Sequence, residues 1–176
     1  GVYTILGANS TPTFTNTYNG AGSVTFGATK ALANMDFEEV DGEFQFVVTD
    51  VTDSENPVVA ANGSTSNGTI TFEPILYTQA DLESDASGNL KPKTFTYKIS
   101  EVNDGKTGIV YDDKTYTAVV VVADNGNGSL STTVTVDGET VNAENGIYWL
   151  TDPDAEATSF TNIYAPETEI TIPITK

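Results

Sequence analysis

The sequence predicts an all-β protein, an immunoglobulin-like antiparallel β-sandwich, on three observations. Apolar and polar residues alternate over short runs, the period of a strand with one buried face. Turn dipeptides of the Asn-Gly and Asp-Gly kind separate the runs. Helical periodicity is nearly absent, while β-branched and aromatic residues, which favour strands, are abundant. The runs read in order as "SVTFGATKAL" (23–32), "EFQFVVTD" (43–50), "TITFEP" (69–74), "TFTYKISEV" (94–102), "YTAVVVVAD" (116–124), "LSTTVTV" (130–136) and "TSFTNIY" (158–164). Asn62-Gly63 and Asn67-Gly68 are read as turns ahead of the third run, "DNGNG" (124–128) as the turn between the fifth and sixth. Asp137-Gly138 and Asn145-Gly146 punctuate the stretch between the sixth run and the seventh. Such spacing of strands and turns suits a sandwich.

Between the runs, "YTQADLESDASGNL" (77–90) holds the one candidate helical turn and reads as an excursion over a sheet edge. Its alternating acids resemble calcium ligands, but the Gly and closing Glu of an EF-hand loop are missing, so no metal is assigned. Trp149, between Tyr148 and Leu150, reads as packing rather than as a sugar platform. The sequons at 62–64 and 67–69 read as turns.

Composition excludes several functions. Twenty-five Asp and Glu against seven Lys and no Arg leave a net charge of −18. Nucleic acid is excluded as a partner, because neutralising phosphates takes a basic stripe. The acidity reads as solubility and self-repulsion. With neither Cys nor His, disulfides, thiol catalysis, Ser-His-Asp triads and His-ligated zinc are ruled out. No apolar run reaches the ~18 residues of a membrane span, so no membrane insertion is expected. No cofactor is expected either.

The chain repeats itself. Residues 14–30 read "FTNTYNGAGSVTFGATK" and residues 160–176 read "FTNIYAPETEITIPITK", without a gap, at an offset of 146 (160 − 14). Each copy contains the end of one unit, a short linker and the start of the next. Residues 1–20 are therefore assigned to the last strand and linker of a preceding repeat, 21–165 to a complete domain, and 166–176 to the linker and first strand of a following repeat.

Alternation also places three polar residues among apolar ones. Lys30 shares a phase with Val24, Phe26, Ala28 and Leu32; Glu101 with Phe95, Tyr97 and Ile99; Asn162 with Phe160 and Tyr164. Burying any of them unpaired costs several kcal/mol, so the three need one another. Their chemistry fits. Desolvation turns a buried lysine into a neutral amine, a nucleophile. A buried carboxyl keeps its proton, and can hydrogen-bond an amide oxygen and polarise the carbonyl. Attack of the amine on the Asn amide then expels ammonia and leaves a Lys–Asn isopeptide bond.

"TKAL" followed by "GEFQFVV", "FTYKISEV" and "FTNIY" resembles the isopeptide-forming domains of Gram-positive pilus shafts and surface adhesins, the streptococcal major-pilin type. The resemblance runs from about residue 23 to 165. It implies that Lys30 bonds Asn162 with catalytic help from Glu101, and that the domain is a load-bearing stalk module on the bacterial cell surface. No ordinary enzyme is expected, because no catalytic constellation apart from this single-turnover self-reaction survives the missing His and Cys. By the repeat, Asn16 is the acceptor half for the preceding unit and Lys176 the donor half for the following one, which makes neighbouring copies, head to tail, the expected partners. The competing reading is an adhesin domain that binds a host or partner-cell glycan or protein through its loops. The repeat favours the stalk, because a ligand-binding head is usually a single tip domain, and no residue identifies a tip ligand.

Overall fold

The structure, a computed structural model, describes residues 19–37, 44–151 and 157–166. Its strands are β1 (Ala21–Ala33), β2 (Gln45–Asp50), β3 (Val58–Ser66), β4 (Thr69–Phe72), β5 (Ile75–Thr78), β6 (Glu83–Ser84) and β7 (Leu90–Lys91). They continue with β8 (Lys93–Glu101), β9 (Ile109–Val110), β10 (Thr115–Asp124), β11 (Leu130–Val136), β12 (Glu139–Val141), β13 (Ile147–Trp149) and β14 (Phe160–Tyr164). The fold is all-β, a sandwich-like arrangement. No helix among the described residues is long and apolar enough to cross a membrane.

The hydrogen-bonded path runs β12-β11-β10-β8-β2-β3-β4-β1-β14-β9, with β5 and β13 also paired to β1. The thirteen residues of β1 therefore serve four partners in turn. Ala21–Val24 pair with β5, Thr25–Gly27 with β13, Gly27–Thr29 with β4 and Lys30–Ala33 with β14. Pairing is antiparallel except at β1, which runs parallel to both β13 and β14. A parallel pair needs a long crossover, and here nearly the whole domain lies between the first strand and the last.

Alternation positions the core. Val24, Phe26 and Ala28 of β1 are buried with Phe46 and Val48 of β2, Tyr97 and Ile99 of β8, Val120 and Val122 of β10, and Phe160 of β14. The next polar residues in phase, Lys30 and Asn162, are buried with them.

The turns divide by environment. Asn67-Gly68 and Asp137-Gly138 both take positive φ at the two central positions, as the tight hairpins β3–β4 and β11–β12 require. Asn62-Gly63, a turn by its dipeptide, lies inside β3 instead. Gly63 sits opposite Phe72, and a Cβ there would lie 2.7 Å from the Phe72 ring. The glycine is thus a seat for an aromatic ring, not a bend. Gly63→Ala is expected to destabilise the fold by ~1–3 kcal/mol through overpacking, read by denaturant unfolding. Unchanged stability would show that the ring moves aside freely.

The 77–90 excursion contains a 3-10 turn, Gln79–Asp81, and the small β6–β7 hairpin. The Asp85 carboxylate accepts N–H groups of Ser87 and Asn89 within its own loop. Trp149 packs over Gly27, where a Cβ would lie 3.0 Å from the indole.

Candidate functional site

Three strands bring Lys30, Glu101 and Asn162 together. Lys30 is at 3% exposure and Asn162 at 0%. The side chains of Lys30 and Glu101 are both fully buried. In the parallel β1–β14 ladder, Lys30 is level with Phe160 and Leu32 with Asn162. Lys30 and Asn162 thus stand diagonally on one face, a separation that a long lysine side chain spans. The Lys30 backbone is pinned by its N–H to the Gly68 carbonyl at 2.7 Å. Glu101, the last residue of β8, is level with Phe46 of β2, and the Val102 N–H bonds the Gln45 carbonyl at 2.8 Å just beyond it.

Glu101 bridges the other two. Lys30 Nζ donates to Oε2 at 2.8 Å, and Asn162 Nδ2 donates to Oε1 at 2.8 Å. The remaining polar atom of the amide, Asn162 Oδ1, accepts the main-chain N–H of Asp112 at 2.8 Å. A backbone N–H can only donate, so this contact sets the orientation of the amide: oxygen toward Asp112, nitrogen toward Glu101. Chemistry read from the sequence places the carboxyl on the amide oxygen; in the structure it faces the nitrogen.

The walls are aromatic. Lys30 Nζ lies 5.2 Å from the Phe44 ring centre and 5.8 Å from that of Phe46. Phe160 packs 5.1 Å from Phe46 and 5.4 Å from Tyr116. Phe44 is held by a reciprocal pair of bonds with Thr65. The strand beside the amide is tied by the Tyr116 hydroxyl, which donates to the Ser159 carbonyl at 2.8 Å, and by Ser159 and Thr29, which exchange N–H-to-hydroxyl bonds. Burial in this box pushes the Lys30 amine below its ordinary lysine range; the Glu101 hydrogen bond and charge, and the Asp112 charge, oppose that shift. A lysine whose cation is disfavoured, a carboxyl able to move protons and an amide carbonyl with a fixed donor are the parts of an acyl transfer.

Asn16 and Lys176 lie outside the described residues. The aromatic box and the Asp112 N–H are additions that the sequence reading lacks. Phe44 and Phe46 carry a readable signal, since they alternate within "EFQFVV". Asp112 carries none, because a main-chain donor has no residue type to mark it.

A family model described as the Spy0128-like isopeptide containing domain matches residues 26–165. Among solved structures, the major pilin from Streptococcus pyogenes is similar to this chain at 18% identity and a TM-score of 0.40, over 82% of this chain and 50% of the pilin. A mutant of the same pilin is similar at 16% identity and a TM-score of 0.41, over 82% and 51%. The chain spans about half the length of the pilin it resembles. No curated protein sequence matches it.

Proposed function

The chain belongs to the family of Spy0128-like isopeptide containing domains, and on that premise we propose that it is a shaft or stalk module of a bacterial surface fibre, self-crosslinked between Lys30 and Asn162. The observation that carries this reading is the bridging carboxyl: Glu101 holds Lys30 Nζ on one oxygen and Asn162 Nδ2 on the other, each at 2.8 Å.

The steps use those contacts. Burial disfavours an ion pair, so the lysine proton passes to Glu101 and a neutral amine remains. Nζ attacks Cγ of Asn162, forming the C–N bond as the carbonyl electron pair moves onto Oδ1. Glu101 gives its proton to Nδ2 and takes one from Nζ. The tetrahedral centre collapses, the Cγ–Nδ2 bond breaks and ammonia leaves. Glu101 ends protonated, as it was at the moment of attack, while Lys30 and Asn162 are consumed, so the reaction turns over once. Preorganisation of the pair by the fold can supply ~7–11 kcal/mol of the barrier.

The product ties the first strand to the last. Force entering near β1 and leaving near β14 would pass through the bond and bypass the sheets. The repeat assigns residues 1–20 and 166–176 to neighbouring copies, with Asn16 and Lys176 as their crosslink halves. A close joint is supported by one contact and one burial. Ala165 is bonded to the Gly108 carbonyl at 2.7 Å, and Gly20, the counterpart of Pro166 one repeat earlier, is buried. Such a fibre belongs outside the cell, at the cell surface.

Proteolysis of the denatured chain tests the assignment. A branched peptide joining the Lys30 segment to the Asn162 segment is expected. Recovery of both segments as separate linear peptides would overturn it.

A further inference from the structure

We propose that Asp112 is a further catalytic residue of the crosslinking reaction: its main-chain N–H stabilises the negative charge that develops on Asn162 Oδ1, and its own carboxylate aims that N–H. The proposal rests on the reading that Lys30 attacks Asn162.

The β9–β14 ladder sets the register. Ile163 is level with Val110, and the Ala165 N–H bonds the Gly108 carbonyl. Adjacent pairs alternate in kind along an antiparallel ladder, so hydrogen-bonded pairs recur every second residue: after Ala165–Gly108 come Ile163–Val110 and then Thr161–Asp112. In a regular ladder these two residues would exchange main-chain bonds, the Asp112 N–H going to the Thr161 carbonyl. The structure substitutes side chains for both. The Thr161 N–H donates to Asp112 Oδ2 at 2.7 Å, and the Asp112 N–H donates to Asn162 Oδ1 at 2.8 Å. The other carboxylate oxygen accepts the Lys114 N–H at 2.9 Å, which fixes the turn. By occupying the Thr161 N–H, the carboxylate holds the two backbones out of ladder register and leaves its own N–H for the amide oxygen. When Nζ attacks, Oδ1 takes up the electron pair that the carbonyl releases, and the N–H already points at it. A fixed main-chain dipole needs no reorganisation at that moment.

The charge on Asp112 works the other way. It favours the protonated form of Lys30, so removing it would by itself quicken the attack. A slower reaction in an uncharged variant therefore reports the lost aim of the N–H.

The full chain is made by cell-free synthesis, quenched in denaturant at intervals and weighed for loss of ammonia. Asp112→Ala is expected to slow the loss by at least ~10-fold, toward the ~10²-fold that removal of one oxyanion donor costs. Asp112→Asn, which keeps an acceptor for Thr161, is expected to react as fast as the parent chain or faster. Asp112→Ala at the parent rate, or Asp112→Asn as slow as Asp112→Ala, would overturn the proposal. Amide exchange reads the contact without relying on the rate. In the Glu101→Ala chain, which holds the unreacted amide, the Asp112 N–H is expected to be protected, and to lose protection on further Asn162→Ala. Equal exchange in the two chains would also overturn it. A parent chain that never loses ammonia would overturn the self-crosslinking function instead, which separates the two failures.

Discussion

Glu101→Ala is expected to leave Lys30 and Asn162 unjoined and to turn an inextensible domain into an extensible one. The two residues are 132 positions apart (162 − 30). With the bond in place, those residues are outside the path of force. Without it, pulling the chain by its ends should unfold the domain and release on the order of 450 Å, at ~3.3–3.6 Å for each extended residue. Single-molecule force spectroscopy reads this directly as a new extension step. The variant should also lose stability. Closing a loop of this length by a covalent link is worth ~4–5 kcal/mol by analogy with disulfides, and the variant forfeits it. Lys30 keeps its aromatic box and can remain as a neutral amine, so the fold itself should survive. A Glu101→Ala chain that still loses ammonia would remove Glu101 from the chemistry. One that shows no new extension step would remove the bond from the mechanics.

Phe160→Ala is expected to damage both fold and reaction. Phe160 is fully buried two residues before Asn162, packed on Phe46 and Tyr116. Truncating a buried Phe to Ala costs ~3–5 kcal/mol through lost transfer energy and the cavity left behind. Here the cavity would adjoin Lys30, which is level with Phe160 in the ladder. Water admitted there would restore solvation to the ammonium and hold the lysine in its unreactive form. Denaturant unfolding in a Glu101→Ala background isolates the packing loss, and the crosslinked fraction of the single variant measures the chemistry. Phe160→Leu should retain most of both. A Phe160→Ala chain that crosslinks as completely as its parent would show that dryness around Lys30 is not required.

The strands that frame the site are legible because period-2 alternation assigns each residue to a face. A lysine, a glutamate and an asparagine in apolar phase on three separate strands point inward together, as the structure places them. Local dipeptides are less informative. Asn62-Gly63 and Asn67-Gly68 are the same two letters, yet only the second turns the chain. The difference lies in Phe72, which is outside any local turn pattern and covers Gly63 only once β3 and β4 pair. Short strands such as β9 and β13 escape for a related reason. Two or three residues do not establish a period, and these strands exist because β14 and β1 offer them edges. The parallel pairing of first and last strands, like the donor at Asp112, belongs to long-range geometry that no local pattern encodes.

The most direct test of the account is the intact mass of the folded chain. A self-crosslinked domain should weigh one ammonia less than its sequence, from the Lys30–Asn162 condensation, and should do so without any added enzyme or cofactor. A folded chain at full sequence mass would contradict the account.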